Sequence, residues 1–487
     1  MNISRKWFLI LFCGIVAAAL FLRLYDLGSK PLHYDEGRHW HYIISKIVAG
    51  EKVVYEPEFH GFGSWYIASI PIFIFGKGVF WLRFMSAVFG AGTVALLFAL
   101  RKHLGAVGTL AAAVFLAFSP AMISYSRMLI QHGFFVFFLL LLFVCVVQYL
   151  TSFKNKYLYA AAVSAAFLLT IHEYMYVFVF VGALFVAMCY LFDFSGANVV
   201  TKFAVIFKKT NKRALFFSGF LFSFAVVFMM SNFFADFDNL SMFLKSHVAF
   251  QFKKAIFWSS VNRPAYYYFT TFRFIEMPLL AGFFAGFFFL KRTVFNVFIL
   301  FWCVMSATVL SMIPYKIPWL FMVVFLPMSM AAGIGFENIN KKLQGRLKRN
   351  VFAAIFVLLV VYSISVSSML VYAQPLARSE FNWYGPTKEA KQMIEDLNGF
   401  SRGRKLNVLM SSGQLYAINY YLEDFDVVTK TASQKWSDFY LENFDLIIVR
   451  EVEREKIALL PWPFTSFVLK KYEVQNGLVL DVLYKKR

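Results

Sequence analysis

A cluster of ionisable side chains follows the first apolar segment of the chain. Its central run, His33-Tyr-Asp-Glu-Gly-Arg-His-Trp-His41, places the adjacent carboxylates of Asp35 and Glu36 among three histidines. A carboxylate that stays ionised and lies within hydrogen-bond reach can take a proton from a substrate. The run therefore predicts a chemically active site in the loop after the first segment.

Two other interpretations of this run remain open. Asp is common at helix N-caps, so Asp35 could simply cap a helix. The spacing of His33, Asp35 and His39 could instead hold a divalent metal ion, because imidazole and carboxylate groups are common metal ligands. A cap needs only one acceptor, however, and does not explain two acids flanked by histidines. The metal interpretation matches no fixed ligand pattern.

An amphipathic helix is predicted to position the acidic pair. The apolar residues behind the run recur at helical spacing: Trp40, Ile43, Ile44, Ile47 and Val48. A helix with such a stripe is suited to lie on a membrane surface. Asp35 and Glu36 would then lie at its N-terminus, where a carboxylate can meet a lipid-borne substrate and a polar acceptor together.

The composition indicates a membrane protein. Hydrophobic residues make up 60% of the 487 residues and charged residues 15%, whereas soluble proteins are about half apolar and about a quarter charged. The net charge of +21 is concentrated in residues 1–373, which hold 32 of the 48 basic but only 12 of the 27 acidic residues. Excess Lys and Arg beside apolar segments is typical of cytoplasmic loops and does not indicate nucleic-acid binding.

Eleven apolar segments are candidates for membrane-spanning helices, which need about 20 residues. They are 7–24, 81–100, 105–123, 129–150, 157–171, 174–192, 214–232, 274–290, 293–313, 318–335 and 351–373. The basic clusters fall in alternate loops, which places the N-terminus in the cytoplasm and the first loop, residues 25–80, outside it. A further apolar segment in that loop, Gly63–Phe80, is interpreted as short helices that dip into the outer leaflet.

The C-terminal residues 374–487 are nearly neutral and predict a compact α/β domain. The signals are a helical pattern over Thr387–Leu397 and strand patterns at Leu406–Met410, Asp445–Val449 and Gly477–Tyr484. An odd number of spans places this domain outside the cytoplasm. The predicted fold is a multi-pass α-helical membrane domain, residues 1–373, followed by a small extracytoplasmic α/β domain. The predicted location is the plasma (inner) membrane.

Several short motifs resemble those of the GT-C glycosyltransferases, which use polyprenyl-phosphate sugars. They are FLRLYDLGSKPLHYDEGRHW around the acidic pair, FWLRFMSAVFGAGT at the second span, YSRMLIQ before the fourth, HEYMYV between the fifth and sixth, YKIPWL at residues 315–320 and QLYAINYYLEDFD in the C-terminal domain. The best resemblance is to the protein O-mannosyltransferases and lipid A aminoarabinose transferases (families 39 and 83), especially their flippase-activity-associated subgroup. It covers most of the chain.

The resemblance implies roles for three residues. Asp35 matches the family's catalytic base, which takes the proton from the acceptor hydroxyl, and Glu36 would orient the base or the acceptor. Lys316 matches a position expected to hold the carrier's phosphate, where fixed positive charge lowers the barrier as negative charge develops. The implied reaction is an in-line displacement that inverts the anomeric carbon.

Other residues are secondary candidates. Arg127 and Arg263 could contact the phosphate, although outer-leaflet arginines commonly extend to lipid headgroups. Glu173 is either a functional charge at membrane depth, where charge is costly, or a wetted residue in a hairpin. The family often has an acid a few residues after the Ser-Arg pair, whereas this chain has His132 in that region. Either His132 takes over a polar role there, or that part of the acceptor site is remodelled. The candidates for binding acceptor, sugar or metal are His33, His39, His132, Glu173 and Tyr315.

The leading hypothesis is a membrane glycosyltransferase that moves a sugar from a polyprenyl-phosphate donor to a protein, lipid or glycan acceptor outside the cytoplasm. The sequence does not establish a cofactor. The histidines leave a divalent metal ion as the candidate. One alternative is a lipid-linked sugar flippase or transporter, which would favour ionisable groups at mid-membrane over an acid pair at the surface. Another is a non-catalytic partner of such a protein, which fold alone does not separate from an enzyme.

Overall fold

The chain forms two compact units in the computed structural model. The structure describes residues 3–192, 205–206, 208–257, 262–372, 386–411, 415–430, 434–435, 438–439, 441–453, 467–475 and 478–486. The helical unit comprises Met1–Leu27, Val53–Gly76 and Trp81–Ala373, and the mixed unit comprises Gly28–Lys52, Lys77–Phe80 and Gln374–Arg487. The part of the first loop that carries the acidic pair is therefore grouped with the C-terminal domain, whereas the sequence assigns the whole loop to the membrane domain.

The α-helices among the described residues are numbered in chain order. The first eleven are α1 (Arg5–Leu24), α2 (Tyr34–His39), α3 (Ser45–Ala49), α4 (Gly63–Phe75), α5 (Val79–Leu96), α6 (Arg101–Leu104), α7 (Ala106–Phe118), α8 (Pro120–Ser126), α9 (Gln131–Ser152), α10 (Asn155–Ile171) and α11 (Tyr174–Phe192). The others are α12 (Lys212–Met230), α13 (Phe237–Phe257), α14 (Tyr267–Phe272), α15 (Met277–Phe288), α16 (Val294–Met312), α17 (Met322–Lys342), α18 (Arg346–Ser367), α19 (Lys388–Ser401) and α20 (Tyr416–Leu422).

Many of these helices are apolar enough to cross a bilayer, as expected for a multi-pass membrane protein. Among the described residues, eight helical segments are long and apolar enough to cross a membrane. The bent pair α7–α8 would make nine if it forms a single span. Three shorter apolar helices, α4, α10 and α15, accompany them. Each of the eleven predicted segments lies on one of these spans, on the bent pair or on α10 or α15, and the number of crossings stays a prediction. Gly63–Phe80, predicted as short helices, begins with one 13-residue helix, α4.

Small residues allow the central helices of the helical unit to approach closely. A Cβ atom at Gly286 of α15 would lie 2.2 Å from the backbone oxygen of Ala331 in α17, and one at Gly333 would lie 2.3 Å from that of Gly108 in α7. Within a bilayer, helices associate by such close backbone packing because lipid provides no hydrophobic driving force between them. The three helices thus form a tightly packed centre, in which α17 is buried along most of its length.

The mixed unit contains a five-stranded sheet with the order β2-β1-β3-β5-β4. Its strands are β1 (Asn407–Met410), β2 (Asp426–Thr429), β3 (Leu446–Arg450), β4 (Phe467–Gln475) and β5 (Leu478–Lys485). β1 pairs in parallel with β2 and β3, whereas β5 runs antiparallel to β3 and β4. Helix α19 packs its apolar face, with Met393 and Leu397 fully buried, in the core of this sheet. The predicted small α/β domain is confirmed.

Candidate active site

Helix α2 begins with a capping box that does not use the Asp35 carboxylate. The Nδ1 atom of His33 accepts a hydrogen bond from the Asp35 backbone N–H at 3.1 Å, and the Glu36 carboxylate accepts one from the His33 backbone N–H at 2.8 Å. These bonds satisfy donors that a helix start leaves without partners. The interpretation of Asp35 as only a cap is therefore wrong, and the buried Glu36 acts in the cap instead.

The Asp35 carboxylate remains partly exposed. Its side chain is 27% exposed, and its Oδ2 atom lies 3.8 Å from His33 Nδ1. Within the described part of the chain no hydrogen bond is donated to this carboxylate. Asp35 therefore has acceptor capacity that the described residues do not use, as a base toward a substrate requires.

The helix that carries Asp35 packs directly against α20 of the C-terminal domain. A Cβ atom at Gly37 would lie 2.5 Å from the backbone of Tyr416 and of Ala417, so that only glycine allows this approach. The hydroxyl groups of Tyr42 and Tyr416 are hydrogen-bonded at 2.9 Å. The acidic pair is therefore positioned by the C-terminal domain as well as by its own loop.

A second group of contacts joins the same segments. The ammonium of Lys77 pairs with Glu423 at 2.9 Å and lies 4.6 Å from the centre of the Tyr420 ring. The Trp40 indole meets that ring edge-on and donates its N–H to the Glu423 carboxylate. Trp40 belongs to the apolar stripe that the sequence predicts to face the membrane. In the structure it is buried and contacts Tyr420 and Glu423 of the QLYAINYYLEDFD segment.

The structure does not bring His33, Asp35 and His39 together as a three-ligand group. His33 is engaged in the cap, and His39 is buried in the last turn of α2. Among the described residues, a single set of three His, Cys, Asp or Glu side chains has its ligand atoms within 4.8 Å of one another, and it lies elsewhere. The alternative interpretation of this spacing as a metal site therefore has no three-ligand group behind it in the described residues.

Lys316 is a buried cation between α16 and the 3₁₀ turn Pro318–Phe321. The residue is 3% exposed, and its Nζ atom donates hydrogen bonds to the carbonyl oxygens of Arg263, at 3.0 Å, and of Ile313. No carboxylate in the described residues pairs with it, and burial lowers the pKa of its ammonium group. An ammonium group has three donors and a buried charge requires a partner, so this site is suited to receive an anion.

Arg263 and Tyr315 lie beside Lys316. The backbone N–H of Arg263 donates to the carbonyl oxygen of Pro314 at 3.1 Å, and Asn262 forms an antiparallel bridge with Tyr315. These contacts join two segments that are far apart in the sequence, since Lys316 and Arg263 are separated by 53 positions. Two residues that the sequence proposes near the phosphate, Lys316 and Arg263, are therefore grouped in the helical unit with Tyr315, a candidate for binding acceptor, sugar or metal.

The guanidinium of Arg127 is engaged with the backbone at the end of α1. It donates hydrogen bonds of 2.5–3.1 Å to the carbonyl oxygens of Leu22, Arg23, Tyr25 and Asp26. Helix ends leave such carbonyls without partners, and a cation there also complements the helix dipole. Arg127 therefore stabilises the end of α1, and its role toward a phosphate stays a prediction.

Glu173 lies in a cluster of imidazoles in the helical unit. Its Oε2 atom is 2.6 Å from His60 Nδ1 and 3.5 Å from His172 Nδ1. The His60 and His172 rings stack with centroids 4.3 Å apart, and the buried His132 ring meets His172 edge-on at 4.5 Å. The sequence proposes Glu173 and His132 as candidates for binding acceptor, sugar or metal, but it assigns no role to His60 or His172. The adjacency of His172 to Glu173 was a signal, whereas His60 is 113 positions from Glu173 and only folding reveals their contact.

Comparisons with known proteins agree with the motifs. A family model described as dolichyl-phosphate-mannose-protein mannosyltransferase matches residues 60–194. ArnT from Cupriavidus metallidurans, solved with undecaprenyl phosphate, is 12% identical with a TM-score of 0.66, and 98% of each chain is covered. The oligosaccharyltransferase AglB from Archaeoglobus fulgidus, solved with an inhibitory peptide and a dolichol-phosphate, is 12% identical with a TM-score of 0.55, over 98% of this chain and 74% of that one.

No curated protein sequence matches the chain. The shared architecture extends over both the membrane helices and the C-terminal domain, since nearly the whole chain is covered. The resemblance read from the motifs is therefore confirmed, whereas the particular subgroup stays a prediction. This chain has the fold of the membrane glycosyltransferases ArnT and AglB, and its residues 60–194 match the mannosyltransferase family model.

Proposed function

We propose that this protein is an integral-membrane glycosyltransferase that moves a sugar from a polyprenyl-phosphate donor to an acceptor outside the cytoplasm. ArnT binds undecaprenyl phosphate and AglB binds a dolichol-phosphate, which supports a lipid-phosphate donor here. The observation that carries the proposal is the Asp35 carboxylate, which stays partly exposed while His33 and Glu36 cap its helix.

The proposed reaction is a single displacement. Asp35 takes the proton of the acceptor hydroxyl, the acceptor oxygen attacks the anomeric carbon, and the bond from that carbon to the phosphate oxygen breaks. The sugar is transferred with inversion, and the carrier leaves as a phosphate monoester with one more negative charge. The ammonium group of Lys316 stabilises that developing charge, because a fixed cation in a buried site needs no reorganisation during the reaction.

Replacing Asp35 with Asn tests the assignment of the base. Asn has nearly the same shape but cannot accept a proton, so we expect the transfer rate to fall by roughly 10²–10⁴-fold, the contribution typical of general base catalysis. Transfer is measured with the reconstituted protein, a panel of labelled polyprenyl-phosphate sugars and acceptors extracted from the cell envelope. Mass spectrometry of surface glycans, with and without the protein, identifies the product.

Glu51→Gln provides the matched control for this experiment. Glu51 is an exposed carboxylate in the same segment of the mixed unit, and its replacement should leave the rate unchanged. A wild-type rate in Asp35→Asn would exclude Asp35 as the base. Movement of the labelled lipid across vesicles without transfer to any acceptor would favour the flippase alternative over the enzyme.

A further inference from the structure

The cluster of His60, His172 and Glu173 has the composition of a metal-binding site. One ligand atom from each side chain lies within 4.8 Å of the other two. The three side chains are only 12%, 6% and 20% exposed, respectively. Neutral imidazoles and carboxylates bind zinc, and a set of two histidines and one glutamate with an open fourth position is a known arrangement for that ion.

The fold holds His60 against the end of α10 by close backbone contact. A Cβ atom at Gly61 would lie 2.2 Å from the carbonyl oxygen of Thr170, and one at Gly63 would lie 2.6 Å from the Thr170 hydroxyl. These two glycines let the loop reach the turn that carries His172 and Glu173. The approach of the three side chains is therefore set by the backbone.

The backbone of His60 itself is strained. Its φ is +62° with ψ of −155°, a region that is essentially restricted to glycine and that costs about 1–3 kcal/mol for other residues. Such strain persists where the surroundings hold it, and it is frequent at functional sites. An imidazole at this position, in contact with a carboxylate, therefore indicates a use for the side chain.

We propose that His60, His172 and Glu173 bind a divalent transition metal ion of the zinc class. Ligand atoms about 2.0–2.1 Å from a tetrahedral ion are about 3.3 Å apart, which is close to the 3.5 Å between His172 Nδ1 and Glu173 Oε2. Metal ligands bind in their deprotonated form, so the ion would replace the proton that His60 and Glu173 share. Their 2.6 Å contact would then open by less than about 1 Å to reach the spacing of tetrahedral ligands.

Two neighbours bear on how His172 would bind. The backbone N–H of Tyr174 donates to His172 Nδ1 at 3.1 Å, and this bond is given up if that atom becomes the ligand. The His132 ring meets His172 edge-on and would fix the plane of the coordinating ring, as groups around metal ligands commonly do. The fourth position stays available to water or to a polar substrate group.

Metal binding is tested on the full-length chain, purified in detergent without chelator or polyhistidine tag. Co²⁺ serves as the spectroscopic probe, because its visible absorption reports tetrahedral coordination, and competition with Zn²⁺ gives the zinc affinity. We expect one Co²⁺ per chain in the wild type. His60→Ala and Glu173→Gln each remove a proposed ligand, so both should weaken Co²⁺ binding. Loss of a residue that only supports a ligand lowers metal affinity by roughly 10–100-fold, and loss of a ligand should lower it by more.

His103→Ala is the matched control, because it removes a partly buried histidine outside the cluster, and it should bind Co²⁺ as the wild type does. Thermal unfolding of each metal-free protein verifies folding, and Zn²⁺ should raise the midpoint in the wild type but not in Glu173→Gln. Equal Co²⁺ affinity in the wild type and Glu173→Gln, or no Co²⁺ absorption in the wild type, would overturn the proposal. These readouts need no sugar transfer, so their outcome is independent of the proposed function.

Discussion

At the scale of single residues, the two groups proposed for transfer stand out because the fold uses neighbouring groups for structure. His33 and Glu36 cap α2, which leaves the Asp35 carboxylate as an acceptor. Lys316 is held by two backbone carbonyls and has no carboxylate partner among the described residues. A charge that is buried without an opposite charge is costly, and binding of an anionic lipid phosphate would offset that cost.

The lowered pKa of Lys316 predicts a pH dependence of carrier binding. Burial disfavours the charged ammonium group, so that it loses its proton at a lower pH than an exposed lysine does. Affinity for polyprenyl phosphate should therefore fall as the pH rises through this lowered pKa. Lys316→Arg should keep its affinity to higher pH because a guanidinium stays protonated. Equilibrium binding of the lipid to the reconstituted protein between pH 6 and about 10 measures both curves.

Lys316→Ala serves as the control for that titration. Without the ammonium group, affinity should be weaker by roughly 10–100-fold at neutral pH, the value of a hydrogen bond to a charged group. The pH dependence of lipid binding that remains in Lys316→Ala reports the titration of the lipid phosphate alone. Identical pH profiles for the wild type and Lys316→Arg would contradict the assigned phosphate contact.

At the scale of elements, the contact between α2 and α20 positions the acidic pair. Gly37 allows the two backbones to meet, and Tyr42, in the π-helical turn Trp40–Ile44 that follows α2, is hydrogen-bonded through its hydroxyl to that of Tyr416 in α20. Backbone atoms cannot move aside as a flexible side chain can, so this contact is sensitive to a single methyl group. The C-terminal domain thus acts on the proposed site through rigid packing.

Gly37→Ala is predicted to disturb this packing. The added methyl group would lie 2.5 Å from the α20 backbone, and overpacking of this kind typically costs about 1–3 kcal/mol. We expect a lower unfolding temperature and slower sugar transfer, because the Asp35 helix must shift. Differential scanning fluorimetry and the transfer assay measure the two effects.

Gly399→Ala supplies the comparison, because Gly399 lies in α19 of the same unit with no atom within 4 Å of an added Cβ. Alanine is favoured over glycine inside a helix by up to about 1 kcal/mol, so this variant should be as stable as the wild type or more stable. Equal stability and activity in Gly37→Ala would show that α2 does not depend on the contact.

At the scale of the whole molecule, the charge distribution predicts the orientation in the membrane. Clusters of Lys and Arg lie in alternate loops between the helices, and such clusters stay in the cytoplasm. The segment with Asp35 and the C-terminal domain would then lie on the opposite side. All four cysteines, Cys13, Cys145, Cys189 and Cys303, lie in apolar helices, which makes the chain suitable for labelling at introduced cysteines.

Thiol labelling of single-cysteine variants tests this orientation. In a chain whose own cysteines are replaced by alanine, Glu51→Cys and Asn398→Cys should react with a membrane-impermeant maleimide on intact spheroplasts. Lys348→Cys, in a basic cluster at the start of α18, should react only after permeabilisation. All three positions are exposed. Reaction of Glu51→Cys only after permeabilisation would place the acidic pair in the cytoplasm and remove the basis of the proposed reaction.

The sequence by itself determined the class of the protein, because hydrophobic segments and charge clusters are local properties. Segments such as 129–150 and 351–373 are predicted as spans without any knowledge of their neighbours, and both coincide with helices long and apolar enough to cross a membrane. The α/β domain was likewise predictable, since the buried strands around Val408 and Ile447 are continuous apolar runs. The Asp35 and Lys316 motifs were found because each lies within a few residues.

Only the tertiary structure decided how distant segments combine. The dependence of α2 on Gly37 and α20, and the approach of His60 to Glu173, are not visible as sequence patterns. His33, Asp35 and His39, whose local spacing left a metal site open, are not brought together, while His60 and Glu173 are in contact although they are 113 positions apart. Side-chain convergence depends on packing between backbones, and in this chain glycines such as Gly37 and Gly61 determine how closely those backbones approach.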